Sequence, residues 1–524
     1  MSTPPPLPTP PVNSTPISQG VSSYGENTNH TLAPLHPLLV KDLQQHQSPP
    51  IEIQFFMKKY LPAPALGDYT TTVNCLRDDG GIQNLLQTFC GTRGHETRSY
   101  QPFASLANAI MGHHATLKLL GGKPKLQFCR QDPKYLRGSI AQRKPDVVLV
   151  REDAKQLQDS VDLPSGPSPP FCWDDLYCCV EFKGPTSSVP PEKNNSTSQS
   201  LTVPQGSKGS KRLSSSVNCD REISQPRCNS GSASGSGSSS KRPADDLPPE
   251  EPQAKSRKID DPNVDEQKQS ASYALEMFSS GRIRSHVINI TFDGTKCRFW
   301  YYHRGGIAVS KPIDLTCPDD FRHFIDVIIR MTCFTLEQWG IHPFITYPDT
   351  PLAPAREPTG SRAQPTRKVK NNAQYNEVDQ DTPIPDYFSG STITVNNTII
   401  RLGAVVTRQY TLVGRGTVVI EGRAEAPDLV DRDLMIKISW PSTDRASESD
   451  IINAARTCAA KNNNRAILDH VPEVLRAEDY STTPPSDGGR TRTLRVIVME
   501  RFHPMTMVKT LDDFVKVMID VVEC

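Results

Sequence analysis

No run of about eighteen apolar residues occurs in the chain, so none is long enough to cross a bilayer as a helix. No paired CxxC motifs and no His/Cys spacing of the zinc type occur, which excludes a zinc finger. The opening residues, MSTPPPLPTPPVNSTP, lack a basic segment and an apolar core, so no secretory signal is expected at this end. An excess of one charge is also missing. Lys and Arg total 59 against 58 Asp and Glu, leaving +1, so bulk charge names no partner and local clusters must do so. Apolar residues are few, at 36%, and mean hydropathy is -0.49. With 47 prolines in 524 residues, this excludes one compact globule and implies long linkers. There are no internal repeats, which excludes a solenoid. The 13 cysteines are scattered, and Cys178, Cys179 and Cys297 sit in apolar runs. That pattern suits reduced core thiols in a cytosolic or nuclear protein better than a disulfide framework.

What is present divides into six stretches. Residues 1–50 are rich in Pro, Ser, Thr and Gln and are expected to be a disordered tail. Residues 51–184 carry a weak helix-and-loop signal over 66–86. The spacing of Phe103, Leu106, Ala107, Ile110 and Met111 predicts a helix over 100–120. Short strands are predicted at 125–128, 145–150 and 176–182. Residues 185–264 turn to Ser, Gly, Pro and Lys and read as a disordered insert. Residues 265–345 resume with a helix over 269–279, strands at 286–292, 297–303 and 307–310, and a helix over 321–334. Asp293-Gly294 forms the hairpin turn. Residues 346–391 are a Pro-rich linker, and 392–524 return to strands and then helices, with a helix over 448–460, an apolar strand at 496–499 and a last helix over 512–524. The fold class is α+β: an α/β module with an insert, then a five-stranded antiparallel sheet with one main helix.

The most informative stretch is 413–440, VGRGTVVIEGRAEAPDLVDRDLMIKISW. Gly414-Arg415-Gly416 is a glycine-rich turn before a β-branched run. Lys437 follows within an apolar strand, where a lysine is costly to bury without an anionic partner. Glycine turns of this kind hold nucleotide phosphates through backbone N–H groups and one positive charge. Taken alone, the same residues fit an ordinary hairpin turn and an edge lysine that snorkels to water.

GRGT at 414–417, MIKISW around Lys437, RASE at 445–448 and VIVMERF at 496–502 together resemble the fungal-type protein kinase family, a divergent branch of the protein-kinase fold. RKPDVVLV, CCVEFKG and QSASYALEMFSSGRIRSHVINITFDG match its upstream region, so the resemblance covers most of the ordered chain. It implies an ATP-dependent Ser/Thr phosphotransferase acting on a protein substrate. Gly414 and Gly416 would close over ATP phosphates, and Lys437 would pair with the α- and β-phosphates. Glu448 would orient that lysine, while Met499 and Glu500 would lie at the hinge beside the adenine. Val419 stands where the family's loop has a third glycine, and Glu421 where a valine caps the adenine. No His-Arg-Asp or Asp-Phe-Gly string follows Lys437, so this chain is expected to hold only the ATP-facing half of the site, with the C-lobe essentially missing.

A second constellation lies upstream. Asp146 heads one strand, and Glu181 and Lys183 lie two apart on the next, on one face. Asp146 and Glu181 could hold Mg²⁺, and Lys183 could orient or deprotonate a water. This order is similar to the PD-(D/E)xK nucleases, and Gln269 with Tyr273 resembles the QxxxY motif of their RecB-like branch. DNA would then be a partner, and Glu96 a further ligand. Three readings stay open: an inherited fold with a silent site, an active nuclease, and coincidence. A non-catalytic interaction role for the whole chain also stays open. Finally, Lys241-Arg242 and, twelve residues on, Lys255-Ser256-Arg257-Lys258 have the spacing of a bipartite nuclear-import signal read by an import receptor. A nuclear or nucleocytoplasmic location is then expected; the alternative is a charge run that merely keeps a linker soluble.

Overall fold

A computed structural model describes residues 32–64, 69–92, 94–122, 125–132, 134, 136, 143–155, 171–183, 264–348, 388, 390–480 and 491–501. Nearly all of the expected insert, the basic clusters, most of the 346–391 linker and the helix expected at 512–524 lie outside the described residues. The first part runs through α1 (Leu32–His46), α2 (Ile53–Tyr60), α3 (Tyr69–Asp78), α4 (Gly80–Gly91), α5 (Tyr100–Gly112) and α6 (His114–Leu120). Strands β1 (Leu126–Arg130), β2 (Val147–Arg151) and β3 (Leu176–Lys183) follow. Then come α7 (Val264–Ser279), β4 (His286–Asp293), β5 (Lys296–His303), β6 (Gly306–Val309), β7 (Ile313–Asp314) and α8 (Pro318–Thr332). These strands form a seven-stranded sheet in the order β1-β2-β3-β4-β5-β6, with β7 beside β5. Its pairs are antiparallel except β3–β4, which is parallel with Cys178 opposite Ile288. A parallel pair needs a crossover, and α7 lies on that connection.

Both faces of this sheet are buried, and the strand alternation decides which side chain goes where. Cys178, Val180 and Phe182 of β3 and Ile288, Ile290 and Phe292 of β4 face one way, onto α5 and α8. In α8, Pro318 stands at the first turn with Asp319 and Asp320, where carboxylates meet the positive end of the helix dipole. Phe321, Phe324, Ile325 and Ile328 give it one apolar face. Cys179, Val287, Trp300 and Tyr302 face the other way, onto Ala271, Ala274, Leu275 and Phe278 of α7. Polar groups buried under α7 are satisfied by it: Asn289 donates to the Ser270 carbonyl at 3.0 Å, and the Tyr302 hydroxyl donates to Ser270 Oγ at 2.9 Å.

The second part comprises β8 (Ile345–Thr346), β9 (Thr392–Val395), β10 (Thr398–Arg408), β11 (Val418–Ala424), β12 (Leu434–Ser439), α9 (Glu448–Lys461), α10 (Arg465–His470), β13 (Val474–Tyr480) and β14 (Leu494–Glu500). Its sheet is antiparallel, in the order β13-β14-β12-β11-β10-β9-β8. Val418 and Ile420 of β11 and Ile436 and Ile438 of β12 share a core with Ile283, Phe388 and Trp440. The same alternation puts Val419, Glu421, Met435 and Lys437 on the opposite, less buried face.

Four expectations need correction. The tail expected to be disordered through residue 50 contains α1, whose Leu39 and Leu43 are buried four residues apart in the α7-side core. The Pro- and Gln-rich composition masked that helical repeat. The helix expected over 100–120 breaks at His113, whose ring accepts the Ala115 N–H and starts α6. The region read weakly at 66–86 holds two helices, and Asp79 caps the second by accepting from the Ile82 N–H at 2.9 Å. The downstream sheet has seven strands where five were expected, because 345–346 and 392–395 add to its edge, whereas the strand expected at 496–499 is found as β14. The described cysteines are free thiols. Among the described residues, no helix is long and apolar enough to cross a membrane.

Candidate functional site

Lys437 sits mid-strand on β12, opposite Val419 of β11 and Ile497 of β14. Its ammonium donates to Glu448 Oε1 at 2.5 Å. Glu448 is the first residue of α9, so the helix start brings the carboxylate to the sheet. The lysine side chain is 23% exposed and the glutamate 41%. A charge pair that is still wet contributes little stability. It does fix a cation on the open face of an otherwise apolar strand.

The glycine turn lies between β10 and β11, closed by a bond from the Gln409 N–H to the Thr417 carbonyl at 2.8 Å. Its two glycines are required for different reasons. Gly414 has φ +132, and a Cβ there would meet nothing within 4 Å. Gly416 has φ +50, and a Cβ there would lie 2.5 Å from the guanidinium carbon of Arg304. Only glycine relieves both the backbone conformation and that approach. Arg304, in the β5–β6 turn of the first sheet, is buried between Phe278 and Trp440, its guanidinium 4.1 and 4.8 Å from the two ring centres. It donates to the carbonyls of Thr411 (2.8 Å) and Phe278 (3.3 Å), and its own carbonyl accepts the Gly414 N–H at 2.9 Å. The Trp440 N–H donates to the Arg415 carbonyl at 2.8 Å, and the Tyr410 hydroxyl donates to the buried carboxylate of Glu276 on α7.

At the end of β14, Met499 is half-buried opposite Met435, and Glu500 is exposed, 3.9 Å from Arg432. Beyond them, the Arg501 N–H donates to the Asp433 carbonyl at 2.8 Å. The Arg501 guanidinium lies 2.8 Å from Glu421. Arg501 lies just past β14, two strands from Glu421 on β11, and nothing local in the sequence pairs them. Arg304 and Tyr410 have no sequence signal either, because neither lies in a patterned segment.

The upstream constellation also comes together. Strands β2 and β3 are paired, with Val147 opposite Val180, which sets Asp146 beside Glu181. Asp146 Oδ2 accepts the Phe182 N–H at 2.8 Å, and Tyr100 hydrogen-bonds the same carboxyl. Glu181 accepts from Lys183 Nζ at 2.8 Å and from the Tyr273 hydroxyl at 2.7 Å. Burial, then the Glu181 carboxylate, push Asp146 up to about 8. Burial also raises Glu181, against the pull of Lys183. Burial and then the carboxylates of Glu181 and Asp146 raise the Tyr273 hydroxyl well above its ordinary range. Glu96, in the turn before α5, is close enough to add negative potential to both carboxylates. The motif partner Gln269 is not hydrogen-bonded into this group; its backbone carbonyl accepts from Ser272. Among the described residues, no group of three or more His, Cys, Asp or Glu is arranged to hold a metal ion.

The family model described as fungal protein kinase matches residues 252–523, more than half of the chain. The chain belongs to the fungal protein kinase family. Membership brings with it, in general terms, ATP use and protein substrates. No curated protein matches the chain. The family match takes in Gly414, Gly416, Lys437, Glu448, Met499 and Glu500, and also α7 with Tyr273 and Glu276, and Arg304. Asp146, Glu181 and Lys183 lie outside it.

Asp146 keeps its proton to about pH 8 when folded, whereas an exposed aspartate loses it near 3.8. Between those values the unfolded state binds fewer protons, so this group costs stability as pH rises. Asp146→Asn is therefore expected to stabilise the fold at pH 8 by at least about 1 kcal/mol, a gain that fades toward pH 4. Urea unfolding of the two proteins at both pH values measures this, and equal midpoints at pH 8 would refute it.

Proposed function

We propose that residues 392–501 are the nucleotide-facing half of a kinase-like lobe, holding the ATP-facing side of the site in a family whose full-length members act on Ser/Thr through ATP. The observation that carries this reading is the bond from Lys437 to Glu448. It joins the middle strand of five consecutive antiparallel strands, β10, β11, β12, β14 and β13, to the helix that connects β12 to β13. The residues present fit a nucleotide. Lys437 offers a positioned cation on the open face, and Gly414 leaves open the space its missing side chain would fill. Bound ATP supplies the phosphoryl group. The chain's own part is to hold its phosphates with Lys437, orient that lysine through Glu448, and line the base slot with Met435 and Met499. Glu421, paired with Arg501, sets a charged pair where the family has an apolar cap, so the base would meet polar groups on that side. Mg²⁺ would be expected with the nucleotide. Lys437→Met is expected to weaken ATP binding at least about tenfold with little change in thermal stability, since the lost pair is exposed. Calorimetric titration with ATP reads the first and a melting curve the second. Unchanged affinity would remove Lys437 from the site.

A second reading starts from one observation: Asp146, Glu181, Lys183 and Tyr273 converge on the sheet, where β3 and β4 run parallel beneath α7. On this reading 51–184 and 265–345 would be a PD-(D/E)xK nuclease-like module, with Asp146 and Glu181 as the pair that would bind Mg²⁺ and DNA as substrate. The expected result is Mg²⁺-dependent cleavage of DNA by the full chain that is lost in Lys183→Ala. Absence of cleavage in the wild type leaves a silent site, with Glu181 held by Lys183 and Tyr273.

The basic residues Lys241, Arg242, Lys255, Arg257 and Lys258 lie outside the described residues, and we propose them as the import-receptor signal. A fluorescent fusion of the full chain should concentrate in the nucleus and lose that distribution when all five become Ala. An unchanged distribution in the substituted chain would exclude the signal.

A further inference from the structure

The glycine turn is gripped from behind. Its hairpin, 409–417, is bonded to the first sheet at three points. The Thr411 carbonyl accepts from the Arg304 guanidinium, the Gly414 N–H donates to the Arg304 carbonyl, and the Tyr410 hydroxyl donates to Glu276. The turn's apolar side chains follow the same direction: Tyr410, Leu412 and Val413 are buried in the α7-side core of the first sheet, with Trp300 and Phe278. A turn that cradles phosphate must offer its N–H groups to the ligand. Here the N–H of Gly414, the glycine with open space beside it, is already taken.

We propose that the Arg304 turn and Glu276 form an autoinhibitory latch, which holds the glycine turn away from bound phosphate and lowers nucleotide affinity until it is released. This rests on the nucleotide reading of the Lys437 face. Two features make the latch releasable. Arg304 is a buried cation whose charged neighbours are Arg408 and Arg492, and burial followed by those two arginines holds it down at about 9. Its Nε has no hydrogen-bond partner among the described residues. Such a group costs free energy where it stands. The turn itself contributes no regular strand pairing between Gln409 and Thr417, so freeing it leaves the β10–β11 and β11–β12 ladders intact. Opening the latch breaks the Arg304–Thr411 and Tyr410–Glu276 bonds and returns the Gly414 N–H to the front of the turn, where a phosphate oxygen can accept it.

Two variants of the full chain test this. Arg304→Met keeps an apolar filling between Phe278 and Trp440 but loses the guanidinium donors. Tyr410→Phe keeps the ring and loses the hydroxyl. Hydrogen–deuterium exchange reads the turn, and calorimetric titration with ATP reads affinity. The latch predicts that exchange at 410–416 rises about tenfold in both variants while β12 and β14 keep wild-type protection. ATP affinity should rise about threefold to tenfold. Unchanged exchange in the turn, or a rise spread through β12 and β14, overturns the latch. Locally released exchange with ATP affinity equal to or below wild type overturns its inhibitory role. Locally released exchange with no ATP binding to any of the three proteins overturns the nucleotide reading on which the inhibition rests, a result distinguishable from the others because the turn has then been seen to open.

Discussion

The burial of α7 is the constraint on which most of this structure depends. A helix closing a parallel β–β pair must cover the sheet between its strands. This one is covered in turn by α1 and by the hairpin of the glycine turn. Its polar groups therefore have to be answered inside the protein, and each answer ties down a different part of the chain. Tyr273 reaches Glu181, the Ser270 carbonyl accepts from Asn289, and Glu276 accepts from Tyr410. The carbonyls of Phe278 and Ser279 at its last turn accept from Arg304 and Arg408. Backbone carbonyls at a helix end have no partner within the helix, and arginines are well suited to meet them. The helix shares the joining of the two sheets with Arg304 of the β5–β6 turn and with Ile283, whose N–H donates to the Tyr347 hydroxyl.

The two candidate sites differ in how water treats them. Lys437 and Glu448 are wet enough to exchange partners at small cost, as a group that must accept a nucleotide has to be. Asp146 and Glu181 are dry, and each is already hydrogen-bonded. That is the environment of a site kept preorganised, or of one whose polar network now serves the fold. The family match includes the first set and omits Asp146, Glu181 and Lys183, yet it includes the helix that supplies Tyr273.

Much of this was legible in the residues. Strands at 145–150, 176–182, 286–292 and 297–303 announce themselves by β-branched and aromatic runs between turn residues, and all are found within a residue or two. Lys437 was visible because a lysine in MIKISW has no reason to be there without a partner, and Glu448 was the acidic residue at the next helix start. Asp146, Glu181, Lys183 and Tyr273 were legible as a spaced set, whereas Gln269 shares the helix without joining the network. What escaped were contacts between distant segments. Nothing local marks Arg304 as the neighbour of Gly416, or Tyr410 as the partner of Glu276, 134 residues away. Pattern reading reports which face a side chain turns, and not what arrives there. Composition misled at α1, where Pro and Gln outvoted two leucines.

The parallel pairing of β3 with β4 has a consequence for how the chain assembles. Cys179 and Asn289, bonded across that pair, are 110 residues apart in sequence. The β4–β5–β6 hairpins and the β10–β11–β12 meander close over short distances and can form early, whereas a contact of that span must await loop closure. Until it closes, Asp146 and Glu181 remain in water and ionise as ordinary carboxylates. Docking of β4 and α7 then buries Glu181 against Tyr273 beside Asp146, whose raised affinity for its proton belongs to the closed fold. That late step should therefore share the pH dependence of the finished fold, becoming more favourable as pH falls.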